Sequence, residues 1–241
     1  SSDLQLAQAK ALGAERVAVA MSCSLVQRGA LPLLPEAVRT QSALTCGADL
    51  VFALPAPCAC AGAEAFARAG VALLAAAGCD GLVFGAETPD AALLMEAAEL
   101  LDSDSYRAAL KAQLAGGARS FAAARQAAAA KLASDERVAA LLDKPNNNLA
   151  VEYCRAIRSL APRMEAYPLP RQGANHGEAL HSAHGQFASA SALRKLWAEG
   201  GADAVAPYVP EAVFPLYQEA YTAGQYTDFS AAGRCELALL R

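Results

Sequence analysis

The residues with chemical reach gather where apolar runs stop. After VAVAM come Ser22, Cys23 and Ser24, then Gln27, Arg28 and Gly29. Gly85, Ala86 and Glu87 follow the run GLVF, and Pro170, Arg171, Gln172 and Gly173 follow MEAYPL. Helix starts at Asn146 and Ser189 add two more anchor points. A helix N-terminus presents free N–H groups and a partial positive charge, which favour phosphate. Gly85 lets the backbone approach a ligand closely. Arg171 and Arg194 can each grip a phosphate with two N–H groups. This is the chemistry of a nucleotide site without a Walker-type loop, since no G-x-x-x-x-G-K-[ST] occurs.

Plainer readings stand beside these. Asn146 and Ser189 also read as ordinary N-caps, Gly85 as the end of a strand, and Arg171 as a surface charge. No G-x-S-x-G elbow surrounds Ser22-Cys23-Ser24, so Cys23 reads as a small residue rather than a nucleophile. Cys58 and Cys60 form C-x-C without a second pair, and His176, His181 and His184 lie in a Gly/Ala-rich polar loop. Neither pattern has the spacing of a metal site, and no metal ligand is expected.

The elements that must position these groups repeat. Helical spacing from Leu4 to Leu12 stops at Gly13, and a strand from Arg16 to Met21 follows. Pro35 suits the first turn of a helix running to Gly47, with a strand from Asp49 to Leu54. Phe66 to Ala77 is helical up to Gly78, and Gly81 to Phe84 is the next strand. The unit helix–Gly–x–Asp/Glu–strand thus occurs at Gly13, Gly47 and Gly78, spaced by roughly thirty residues, the length of an αβ unit. The strands are continuous apolar runs, as where both sheet faces are covered. A doubly wound parallel sheet follows, and in such sheets ligands bind outside the carboxyl ends of the strands.

From Pro89 to Ser134 the chain reads as alanine-rich helix, with Thr88 as cap and Pro89 opening the first turn; residues 102–143 form a helical excursion from the sheet. Asn146 opens a helix through Leu160, Met164 to Leu169 is a further strand, and Ser189 caps a helix to Trp197. The expected division is an α/β domain over residues 1–198 and the start of a C-terminal helical region over residues 199–241.

The chain has 241 residues, 55% hydrophobic content and a formal net charge of −4. No global basic field advertises nucleic acid, although a local patch would suffice. Seven scattered cysteines read as reduced thiols in a cytoplasmic protein. No apolar run reaches ~18 residues, so no membrane span is expected. The first residue is not Met, which reads as a chain processed, tagged or incomplete at its start.

Seven stretches in order resemble one family: MSCSLVQRG, Arg39-Thr40, GADLVFALP, AGCDGLVFGAE, KPNNNLAVEY, PRQGA and FASASALRK. They look like the tRNA(Met) cytidine acetate ligases of the nucleotidyltransferase superfamily, which have a Rossmann-like core. The resemblance implies activation of acetate by ATP, with magnesium, to acetyl-adenylate, and acetylation of the wobble cytidine of elongator tRNA(Met). It places Gly85, Asn146 and Arg171 on ATP-binding positions, and Ser191 and Arg194 on the Ser/Thr-rich motif that approaches phosphates. Such a reaction needs positive charge and N–H donors on the phosphates more than a base.

The chain also departs from that pattern. The family's first strand leads into a His-x-Gly-His motif that carries much of the adenylylation chemistry. Ser1 falls roughly where that motif ends, so no catalytic residue is assigned and these residues alone are expected to be impaired. Without that central strand, two strands would be left with unpaired backbone. Cys23 stands where the family commonly has Gly, Glu36-Ala37 where it has Lys-Trp, and the chain ends near the start of a C-terminal region linked to tRNA binding. The alternatives are a catalytically dead nucleotide- or RNA-binding module and an adenylyltransferase with another acceptor.

Overall fold

The computed structural model describes residues 2–27, 31–170 and 190–229. The chain divides into two compact units: residues 1–60 with 172–241, and residues 61–171.

The first unit opens with α1 (Ser2–Ala11), β1 (Ala18–Ser22), α2 (Glu36–Thr45), β2 (Leu50–Leu54) and the short α3 (Ala56–Ala59). β1 and β2 are parallel, with Ala18 opposite Leu50 and Ser22 opposite Leu54. The turn out of each helix is built from glycine. Gly13 and Gly47 have φ of 97° and 100°, a region that costs a residue with a Cβ. At α1, Gly13 N–H donates to Lys10 O (3.0 Å) and Ala14 N–H to Ala9 O (3.1 Å). At α2, Gly47 and Ala48 repeat that paired closure onto Leu44 and Ala43. Asp49, two residues after Gly47, ties the strand starts together. Its carboxylate accepts from Val17 N–H at 2.8 Å and Arg16 Nη1 at 2.9 Å.

The second unit carries α4 (Ala63–Ala76), β3 (Gly81–Ala86), α5 (Ala91–Asp102), α6 (Asp104–Ala115), α7 (Phe121–Leu132), α8 (Glu136–Leu141), α9 (Pro145–Leu160) and β4 (Glu165–Pro170). Gly78, at φ 82°, ends α4 with the same double closure, onto Ala75 and Leu74. β3 and β4 pair in parallel, Gly81 opposite Glu165 and Gly85 opposite Leu169. Pro168 and Pro170 lack N–H donors, which suits β4 to a sheet edge. α9 packs on α4, α5 and β3, and buries Ala150, Val151, Cys154 and Ile157. α7 buries only small side chains, Ala124, Ala128 and Ala129.

The first unit is completed by α10 (Ala190–Val205), a 3-10 turn at Ala206–Tyr208 and α11 (Phe214–Thr222). α10 kinks at Gly201, whose φ is 67°. Leu34, Trp197, Ala202, Val205 and Ala220 form the core of this part. Thr227 fastens it to the start of the chain: its N–H donates to Leu33 O at 2.8 Å and its hydroxyl to Pro32 O at 2.6 Å.

The chain is therefore α/β with parallel pairing, and its strands and helices stand within a few residues of the spans read from sequence. The four described strands form two parallel pairs, β1 with β2 and β3 with β4. Three details differ. Leu50 on β2 is 48% exposed, so that strand is not covered on both faces. The cap of α5 is Asp90, whose carboxylate accepts Leu93 N–H at 3.0 Å, rather than Thr88. α10 runs on to Val205, past the Trp197 end expected for that helix.

Candidate functional site

At the C-terminal end of β3, Gly85 leads into Ala86, Glu87 and Thr88, and this strip meets the first turn of α9. Pro145 opens that helix without an N–H to satisfy, and Lys144 at the N-cap makes no side-chain cap. Asn146 therefore lies inside the first turn rather than at the cap. Its main-chain N–H donates to Glu87 Oε1 at 3.2 Å, and its Nδ2 donates to the same oxygen at 2.5 Å. Asn147 N–H donates to Glu87 Oε2 at 2.6 Å. A carboxylate from 59 residues upstream thus fills the role of a local cap, placed where the helix dipole favours an anion. The N–H groups that the sequence offered to a phosphate are held by Glu87.

Asn147 completes the joint. It is 1% exposed, its Oδ1 accepts Thr88 N–H at 2.9 Å, and its Nδ2 donates to Thr88 Oγ1 at 3.1 Å. The sequence marked the strip ending in Glu87 but not this pairing of Glu87, Thr88 and Asn147. No local pattern links positions so far apart; an acidic and a hydroxyl residue directly after a strand were the only signal.

In the first unit, Ser191 lies exposed in the first turn of α10 and Arg194 one turn later, on the same face. The Arg194 guanidinium lies over the Phe229 ring, 5.6 Å from its centroid. Beside it is a cavity of about 150 Å³ lined mainly by Leu33, Leu34, Leu193, Val205, Tyr217 and Arg39. That is well below the roughly 300–1,000 Å³ of sites for drug-sized ligands. Arg39 closes the polar end of β1: Nη1 donates to Ser22 O at 2.7 Å, Nη2 to Cys23 O, and Nε to Leu34 O at 3.0 Å. The Cys23 thiol donates to Leu54 O at 3.3 Å, a tie between β1 and β2. Burial pushes the Cys154 thiol up to about 12, far from a reactive thiolate.

Gly85 and Asn146 thus belong to the second unit, and Ser191 and Arg194 to the first. Arg171, Arg28, Gly29, Ser189 and the loop with His176, His181 and His184 lie outside the described residues. Among the described residues, no three His, Cys, Asp or Glu side chains gather as a metal cluster, and no helix is long and apolar enough to cross a membrane.

A family model described as HIGH Nucleotidyl Transferase matches residues 3–237. The tRNA(Met) cytidine acetate ligase of Syntrophotalea carbinolica is 39% identical over 196 residues, 80% of this chain and 46% of that protein. That of Caldanaerobacter subterraneus subsp. tengcongensis is 34% identical over 212 residues, 87% and 52% of the two chains. Thermotoga maritima TmcAL bound with alpha-thio ATP is similar in structure, with a TM-score of 0.82 at 28% identity over 93% of this chain and 53% of that one. The apo form of the same protein gives 0.84. This chain spans about half the length of the curated relatives it matches. From its family model, its relatives and its fold, the chain belongs to the HIGH nucleotidyl transferase family, alongside the tRNA(Met) cytidine acetate ligases.

Proposed function

We propose that this chain is the nucleotide-binding part of a tRNA(Met) cytidine acetate ligase, which uses ATP to turn acetate into acetyl-adenylate and acetylates the wobble cytidine of elongator tRNA(Met). The observation that carries this is the similarity, over 93% of the chain, to a TmcAL that is bound with alpha-thio ATP. In this reading Gly85 gives the nucleotide close access to the backbone, and Asn146 offers its carboxamide. Arg171, Ser191 and Arg194 approach the phosphates. Magnesium enters with ATP, held mainly by phosphates and water, as is usual for this ion. The α/β domain of residues 1–198 binds the nucleotide, residues 199–241 begin the region for tRNA, and the protein works in the cytoplasm.

Thermal unfolding with and without ATP and magnesium tests the binding. A ligand at one hundred times its Kd stabilises by about 2.7 kcal/mol, a rise of several degrees in Tm. An unchanged Tm at millimolar ATP overturns the reading. Pyrophosphate release that depends on acetate separates a ligase from an adenylyltransferase with another acceptor, and from a module that only binds.

A further inference from the structure

The carboxylate of Glu87 accepts from three donors in the first turn of α9: Asn146 N–H, Asn146 Nδ2 and Asn147 N–H. We infer that Glu87 is a positioning residue for the nucleotide, acting through the Asn146 carboxamide. The inference rests on the proposal that Asn146 contacts ATP.

An asparagine amide carries a donor on one side and an acceptor on the other, and half a turn exchanges them. Here the turn is blocked. Nδ2 of Asn146 donates to Glu87 Oε1 at 2.5 Å, and a carboxylate only accepts, so the reversed amide would set Oδ1 against Oε1. Glu87 is itself fixed, with Oε2 on Asn147 N–H at 2.6 Å and Oε1 on Asn146 N–H at 3.2 Å. The buried Asn147 grips both the N–H and the hydroxyl of Thr88, the residue after Glu87. Glu87, Thr88 and the first turn of α9 are one hydrogen-bonded piece, two residues beyond Gly85. Glu87 decides which atom of Asn146 a ligand meets, and the same joint sets where Gly85 stands relative to that atom.

A double-mutant cycle on ATP affinity tests this, with E87Q and N146A measured singly and together by isothermal titration calorimetry on the full chain. Unfolding midpoints are recorded without ATP alongside. Gln has one acceptor oxygen for three donors, so the amide of Asn146 turns over or an α9 N–H loses its partner. E87Q is expected to weaken ATP roughly tenfold, the scale of coupling within one hydrogen-bond network. In the N146A background the same change is expected to alter affinity less than twofold. E87D keeps both acceptor oxygens but withdraws them by one methylene; it must give the same pattern and serves if E87Q does not fold. Equal weakening in both backgrounds overturns the inference, as does unchanged ATP affinity whatever happens to the midpoint. If the unmodified chain binds no ATP, the nucleotide reading falls and this inference with it; if it binds ATP and both Glu87 variants bind equally well, this inference falls alone.

Discussion

Arg39 holds the carbonyl of Ser22 at 2.7 Å, from seventeen residues further along the chain. Its other donors reach Cys23 O and Leu34 O, so one guanidinium joins the end of β1 to the approach to α2. Arg39→Lys keeps the charge but not the planar fork, and leaves at least one half-buried carbonyl without its donor. The expected loss is about 1–3 kcal/mol. A urea unfolding curve should show a lower midpoint at unchanged slope; an unmoved midpoint means these bonds contribute nothing net.

Asp49 makes acid stability depend on a known carboxylate. The Val17 N–H, then Arg16, hold its pKa down from 3.8 to about 2. The folded state therefore favours the ionised form. The stabilisation is complete above the ordinary carboxylate range and drains away as pH falls from about 4 toward 2. D49N removes that titration. The gap in unfolding midpoint between the native chain and D49N should narrow over this window, and a constant gap counts against the assignment.

Gly201 and Gly78 separate two costs. Both have positive φ, but a Cβ at Gly78 meets open space, whereas one at Gly201 would lie 2.5 Å from Tyr221 Cζ. Gly78→Ala should lose about 1 kcal/mol from backbone strain alone, and Gly201→Ala clearly more. The chain has one tryptophan, Trp197, set edge-on to Tyr221 at 5.5 Å. Its fluorescence should shift in Gly201→Ala and stay put in Gly78→Ala.

Glu152 is 3% exposed at its side chain and faces two partly buried arginines, Arg125 Nη2 at 2.5 Å and Arg155 Nη1 at 2.7 Å. Arg155 has Asp102 as a second partner at 2.8 Å, and Arg125 does not share it. Glu152→Ala leaves buried positive charge uncompensated, a loss of about 3–5 kcal/mol. Adding Arg125→Met to that variant should restore part of it, measurable as a recovered urea midpoint.

Most of the fold was legible because its signals are local. Gly13, Gly47 and Gly78 each need the left-handed conformation, and each closes its helix with the same pair of bonds. Strands and helices followed from apolar runs bounded by those turns. What escaped was set by distant partners. Asp90 out-competes Thr88 as a cap because Asn147, 59 residues on, claims Thr88. Asn146 read as a cap by type, yet Pro145 before it begins the helix and Glu87 supplies the acceptor. The same absence of local signal hid Arg39, whose role lies in the carbonyls it gathers.

Thr227 bonds Pro32 across 195 residues, and the segment between them includes all of residues 61–171. On a ribosome adding roughly 5–20 residues per second, that interval lasts on the order of ten seconds or longer. The second unit emerges whole during the wait. Until then Leu34 lacks the Trp197 cluster that later covers it. Synthesis order thus makes the first unit the last to close, and its nascent half is where a chaperone would find apolar surface.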